Sequence, residues 1–277
     1  MRVIYTLWLR NIKNFVRNRA ALIFNLIFPF FFIFVFGEIF RNDYIENHVT
    51  FMLAGIIIAT VFDSSLRVST STIDDITSGF MKEVIVSPIP RWKIAVGQFA
   101  SSATVATIQG LIIFSFGFLI GLQVTSVFTI IYAILAMAFV GLVFSGFGLL
   151  IATKAKNIQT FQAISMAITM PMTFLSGAYI PLSMLNDILT SVAYFNPMTY
   201  AVAFFRTIVL EQQTLSQYEM INQGLAFEIG NFIIDPTISM FILLVFGLFF
   251  LTLSTISFIK VDFSRINRNR KDAIEFE

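Results

Sequence analysis

Cysteine is absent from this chain, and histidine occurs once, at His48. The first absence excludes disulfides and thiolate metal sites. The second leaves nothing from which to build a histidine cluster or a Ser/His/Asp set. Charge is scarce: 12% of the 277 residues are Asp, Glu, Lys or Arg, against roughly 25% in a soluble domain. No G-x-x-x-x-G-K-[ST] phosphate loop occurs, so the chain itself is not expected to hydrolyse ATP. No carboxylate pair sits deep in an apolar run, and no nucleic-acid motif is present, since the basic clusters only flank apolar runs.

Apolar sequence is what the chain has in excess: 57% of its residues are hydrophobic, and the mean hydropathy is +0.84. Six runs are long enough to cross a bilayer, at about 20–39, 49–69, 94–121, 127–152, 159–179 and 236–259. The third exceeds a ~30 Å hydrocarbon core and must tilt or protrude. These spans divide the charges unequally. Arg2, Arg10, Lys13, Arg17 and Arg19 precede the first, and Arg67, Lys82, Arg91 and Lys93 lie at or between the second and third. Lys154 and Lys156 follow the fourth, and Lys260, Arg265, Arg268, Arg270 and Lys271 follow the sixth. Only Arg41 and Arg206 remain for the other side. By the positive-inside rule both termini are cytoplasmic and the 181–235 connection faces outward. A cleaved signal peptide is disfavoured, because Gly37-Glu38-Ile39-Phe40 has no small-x-small cleavage pattern and five more spans follow.

The segments around the spans carry their own patterns. In residues 1–19, Ile4, Trp8, Ile12 and Phe15 share one helical face, with Arg10, Lys13, Asn14 and Arg17 on the other, as in a helix lying in the cytoplasmic interface. Residues 73–93 form the largest inner loop between spans. Thr77 or Ser78 is placed to cap a short helix running to Val86, which Pro88 and Pro90 would stop. Two readings stand: a rigid helix gripped by a soluble partner, or a solvated turn with interfacial anchors. Residues 174–206 hold two short apolar pieces broken at Pro181 and at Asn196-Pro197, too short to span and too apolar for an exposed loop. Such backbone is tolerated at a membrane only where protein or a wet cavity covers it. The expectation is a re-entrant outer gate built from Phe174, Pro181, Phe195, Asn196, Pro197 and Tyr200.

Polar residues inside the spans are few. Asp63 and Arg67 stand four apart and are expected to pair, as a structural or gating pair rather than an ion site. Gln162, Ser165, Thr169, Thr173 and Ser176 recur at spacings of three and four on the fifth span, near Pro171. That line fits either a substrate pathway or dimer seam, or ordinary packing by small polar groups. Gly141, Ser145, Gly148 and Ala152 on the fourth span read as packing, and Gln98 and Gln109 on the third as parts of a buried polar network.

The run G-F-M-K-E-V-I-V-S-P-I-P-R-W-K-I at 79–94 resembles the first cytoplasmic loop of type 2 ABC exporter permeases. F-L-S-G-A-Y-I-P-L-S-M-L and Y-F-N-P-M-T-Y-A-V-A-F-F-R resemble the region after that family's fifth span. The resemblance covers nearly the whole chain and leans towards drug and antibiotic exporters. It implies a single all-α permease domain: six transmembrane helices preceded by an amphipathic interfacial helix, short re-entrant helices between helices five and six, and a cytoplasmic tail at 260–277. It also implies that a coupling helix, here Gly79, Phe80, Lys82, Glu83, Val84, Pro88 and Arg91, docks on separate ABC ATPase subunits. ATP and magnesium would bind there, and no cofactor on this chain. In that family the fifth span lies at the dimer interface, which favours the pathway or seam reading of its polar line. The expected partners are the ATPase, a second permease copy or homologue, membrane lipids and a hydrophobic or amphipathic substrate moved outward, with no nucleic acid. A multi-pass place in a prokaryotic cell membrane is expected. The rivals are a polysaccharide or lipid-linked glycan as cargo, a non-transporting sensor, and a membrane-embedded lipid enzyme, which lacks convergent His, Asp or Glu residues.

Overall fold

The computed structural model describes residues 2–39, 48–79, 81, 89–122, 124–180, 182–210, 220–221, 224–229 and 232–261. In chain order the helices are α1 (Arg2–Arg17), α2 (Arg19–Ile39), α3 (His48–Arg67), α4 (Thr70–Thr77), α5 (Arg91–Ile120), α6 (Val127–Lys154) and α7 (Ile158–Phe174). A 3-10 turn at Leu182–Met184, α8 (Asp187–Tyr194) and α9 (Pro197–Val209) follow. An antiparallel pair, β1 (Phe227–Ile229) and β2 (Phe232–Ile234), leads into α10 (Pro236–Lys260).

Side-chain chemistry sets many of the helix starts. Ser126, Asn157, Asn186, Asn196 and Asp235 each precede a helix, and each side chain accepts a hydrogen bond from a free N–H of its first turn. Pro197 and Pro236 occupy the first position of their helices, where the missing N–H costs nothing.

Among the described residues, four stretches are long and apolar enough to cross a bilayer unaided: Thr50–Ile76, Arg91–Ile120, Val127–Lys154 and Pro236–Lys260. α2, at 21 residues, rises roughly 30 Å, about one hydrocarbon thickness. The protein is an all-α integral membrane protein, with the small β1–β2 pair as an addition that the apolar runs do not announce. The predicted fifth span is shorter than expected. α7 stops at Phe174, because Ser176 Oγ turns back to donate to Thr173 O (2.7 Å) and Gly177 takes φ +78°, a left-handed turn. α8 and α9 then meet at 83° across Asn196. Thr77 and Ser78 close α4, where Ser78 N–H donates to Asp74 O and Ser78 holds helical dihedrals; the short helix expected beyond them, to Val86, lies almost wholly outside the described residues.

α3 is the central helix, buried almost continuously from Phe51 to Phe62 between α5, α6 and α9. Lipid tails are as apolar as these side chains, so close backbone approach must supply much of the packing energy. Small residues provide it. A Cβ on Gly146 would lie 2.8 Å from Leu251 N in α10, and one on Gly148 2.9 Å from Leu66 Cα in α3. The buried stripe of α10 (Ser239, Leu243, Gly247, Ser254 and Phe258) keeps helical spacing and faces α6. α1 lies on α5, where Trp8 Nε1 donates to Thr104 Oγ1 (3.0 Å).

Two ends of the bundle are distinguishable. At the basic end, Ile76, Met81, Ile94, Ala95, Phe99, Leu149 and Phe258 make a second small core. Arg91 Nη1 there donates to Ile259 O (2.6 Å) and Val261 O (3.2 Å), closing the C-terminus of α10. The far end holds α8, α9 and the β pair, joined where Tyr194 OH donates to Glu228 O (3.1 Å).

Candidate functional site

A cleft of about 900 Å³ lies between α1, α2, α3 and α7. From α7 come Gln162, Ser165, Thr169 and Thr173, four of the five residues of the polar line. Ser176, the fifth, does not reach it: its side chain is buried, bonded to Thr173 O and accepting from Ala178 N. Ser165 Oγ is buried and has no hydrogen-bond partner among the described residues. Phe28 and Pro29 of α2, Ala59 of α3, and Met166 and Met170 of α7 supply apolar surface.

Toward the basic end the lining becomes polar. Asn14, Asn18, Asn25, Asp63, Arg67, Ser71 and Asp74 all face the cleft there. Arg67 Nε donates to Asp63 Oδ2 one turn away; the side chains are 58% and 40% exposed, so screening leaves the pair little stabilising weight. Its contribution is two adjacent charges of opposite sign on the wall.

At the opposite limit of the cleft, three rings converge. Phe32 lies 4.7 Å from Tyr179, and Tyr179 lies 5.3 Å from Phe174, centroid to centroid. Phe28 extends the cluster down α2, 4.6 Å from Phe32. The other residues expected at an outer gate do not join Phe174. Phe195 is 88% exposed, at the bend between α8 and α9. Asn196 caps α9 and donates from Nδ2 to Met172 O (2.6 Å). Pro197 starts α9, and Tyr200 OH donates to Tyr194 O beneath Phe227. Pro181 lies outside the described residues. Of the expected coupling residues, Gly79 turns the chain at φ +87° and Arg91 is spent on α10. Phe80, Lys82, Glu83, Val84 and Pro88 lie outside the described residues.

Two features at the far end are absent from the sequence expectations as sites. Arg206 is buried, its guanidinium 3.5 Å from the centroid of Phe51. It donates to Gly177 O (3.0 Å), Phe51 O (3.4 Å) and Gly224 O (3.4 Å), and no carboxylate among the described residues pairs with it. Gly55 meets the backbone of Ala178, where a Cβ would stand 2.1 Å from the carbonyl oxygen. Both join α3 to the turn after α7. The signal for Arg206 was present in the sequence: it is one of only two basic residues off the basic side, flanked by apolar residues.

α7 is thinly covered. Phe161 is its only buried residue among those described. Met166 and Met170 are 63% and 48% exposed, and with Ala163, Ala167, Pro171 and Phe174 they form a shallow apolar groove.

Comparison with known proteins accounts for this architecture. The ABC-2 type transporter family matches residues 2–210. The chain is similar to the transport permease ycf38 of Cyanophora paradoxa, 24% identical over 84% of this chain and 80% of the relative. Nodulation protein J of Rhizobium leguminosarum bv. viciae is 24% identical over 74% of this chain and 81% of its own length. The inner membrane transport permease YadH of Escherichia coli (strain K12) is 22% identical over 73% of this chain and 80% of its own. With the family match running from α1 through α9, on a bundle of membrane-length helices, the chain belongs to the ABC-2 type transporter family as a membrane permease.

Proposed function

We propose that this permease moves a hydrophobic or amphipathic compound outward through the cleft, using ATP hydrolysed on separate subunits. The observation that carries the reading is the convergence of Gln162, Ser165, Thr169 and Thr173 on one cavity, with apolar side chains beside them. Such a wall offers hydrogen bonds at several depths while the methionines and phenylalanines hold an apolar body. The basic end faces the cytoplasm on the charge rule. The rings of Phe32, Phe174 and Tyr179 then close the outward side. The uncovered face of α7 suits a second permease copy, which would complete the seam. The ATPase docks at residues 73–93.

Thr169→Trp tests the cleft by filling it. Uptake of fluorescent amphiphiles into inverted vesicles carrying permease and ATPase should fall about tenfold, the effect of losing ~1.4 kcal/mol of passage, while the complex still assembles. Full uptake would remove the cleft from the pathway. Docking has its own test. Glu83→Arg or Phe80→Asp should weaken co-purification of the ATPase, and an intact complex in both would overturn the docking assignment.

A second reading has a specific observation behind it. The amides of Asn14, Asn18, Asn25 and Gln162, gathered at the basic end of the cleft, suit a hydroxyl-rich headgroup. A glycan carried on a lipid would place its sugar there. Competition of the amphiphile probe by a glycolipid, but not by its lipid alone, would favour this cargo.

A further inference from the structure

The long helix that begins with α3 does not run unbroken into α4. Val68 and Ser69 interrupt it, and the backbone there switches from four-residue to three-residue hydrogen bonds. Ser69 N donates to Leu66 O (2.9 Å), Ser71 N to Val68 O (3.1 Å) and Thr72 N to Ser69 O (3.1 Å). A short 3-10 stretch inside a helix is a common form of hinge. No proline or glycine lies at this break, but Thr70 Oγ1 and Ser71 Oγ turn back to donate to Arg67 O (2.5 Å) and Val68 O (2.7 Å), a local pull towards the tighter turn.

A side chain from another helix holds the break. Gln98 of α5 donates from Nε2 to Val68 O at 2.9 Å. Its Oε1 accepts from Asn11 Nδ2 of α1, also at 2.9 Å. Asn11 Oδ1 in turn accepts from Arg10 Nη2 (3.4 Å), and Arg10 pairs with Asp75 near the end of α4. The chain of bonds leaves α4 at Asp75, passes through α1 and α5, and returns to the break just before α4. Asn11 and Gln98 are buried, 5% and 7% exposed, so their amides have little water to compete for these bonds.

We propose that this circuit makes α4 a lever, with Gln98 as the positioning residue at its hinge. The lever connects the two parts of the proposed transporter. α4 leads directly into residues 73–93, where the ATPase is taken to dock. Val68 at its hinge and Ser71 in its first turn, with Asn11, also line the cleft. A pull on the loop then turns α4 about Val68–Ser69 and carries α1 with it through Arg10, changing the polar end of the cleft. Without the grip of Gln98, the break yields locally and the pull stops there. This inference rests on the cleft reading above.

The absence of native cysteine makes the test direct. Thr169→Cys places one thiol in the cleft, and the permease with its ATPase is reconstituted in vesicles. The rate of labelling by a maleimide is compared with and without ATP plus vanadate. The parent should show a nucleotide-dependent change of about threefold or more, as a shifted two-state population gives. Gln98→Leu should bring that ratio to about one while ATP hydrolysis stays within about twofold, the signature of lost transmission rather than lost folding. Arg10→Met breaks the circuit at its more exposed end, where folding is less at risk, and should have the same effect. Ser101→Ala removes the other acceptor of Asn11 but leaves the circuit whole, and should keep the parent ratio. A responsive parent whose Gln98→Leu or Arg10→Met variant also responds overturns the lever alone. A parent that never responds overturns the cleft reading and the lever together. Should Gln98→Leu fail to assemble, Arg10→Met decides the matter.

Discussion

Arg206→Ala should lower the melting temperature of the purified permease by on the order of 10 °C, the scale expected for a loss of ~3–5 kcal/mol of buried packing and hydrogen bonds in a chain this size. Three carbonyls from three parts of the fold would lose their common donor: Phe51 in α3, Gly177 after α7 and Gly224 before β1. Hydrogen bonds to a charged group contribute about 1.5–3 kcal/mol each when well made, though two of these, at 3.4 Å, are weak. The ring of Phe51 under the guanidinium adds up to ~2 kcal/mol in a dry setting. Against this stands desolvation, for a buried cation with an unbonded Nε is expensive. Arg206→Met separates the effects, since it fills the volume without charge or donors. The expected order of melting is native, then Met, then Ala. If Met melts at or above the native protein, the cation costs more than it contributes, and its reason for being there is not stability.

The same residue shows where sequence reading succeeds and where it stops. Helix starts were legible at the proline-led helices, because Asn196-Pro197 and Asp235-Pro236 act through their own backbone. Sidedness in the charge pattern was legible, since Arg10, Arg91 and Lys260 gather at one end of the bundle with α4 and the C-terminus of α10. The polar line of α7 came from spacing alone, and four of its members share one cleft. What failed depended on partners distant in sequence. The span expected to reach residue 179 stops at Phe174, where Gly177 turns the chain and Arg206, 29 residues on, holds its carbonyl. The break at Val68–Ser69 has no proline or glycine, only the back-bonding hydroxyls of Thr70 and Ser71, and the grip of Gln98 on it comes from 30 residues away. Phe32 and Tyr179 carry no local mark that sets them apart among 34 phenylalanines and 7 tyrosines, and only folding brings them to Phe174. The β pair has a local signal in the sequence: Phe-Glu-Ile and Phe-Ile-Ile are separated by Gly-Asn, a dipeptide that favours hairpins.

Gly55→Ala should open the far end of the cleft as well as weaken the fold. The new Cβ would stand 2.1 Å from Ala178 O and 2.7 Å from that residue's C and Cα, so backbone rather than a side-chain tip must move. Overpacking usually costs about 1–3 kcal/mol where neighbours can adjust, and this site sits at or above the upper end. Gly110→Ala is the control. Its Cβ would meet Met137 Sδ and Val61 Cγ2 at 2.7 Å, atoms of side chains that can turn aside, so about 1 kcal/mol is expected there. The two glycines lie on neighbouring buried helices and differ mainly in what yields. At Gly55 the part that yields is the turn bearing Tyr179, whose ring lies between Phe32 and Phe174. Moving it separates the rings that close the cleft. A thiol at Thr169→Cys should then react with a membrane-impermeant maleimide added from the far side without nucleotide, about tenfold faster than in the Gly55 parent, as expected if ~1.4 kcal/mol of closure is lost. The Gly110→Ala background should show no such rise. If Gly55→Ala labels at the parent rate although its melting temperature falls, the seam between α3 and Ala178 supports the fold but does not seal the cleft, and the seal must be sought in the rings alone.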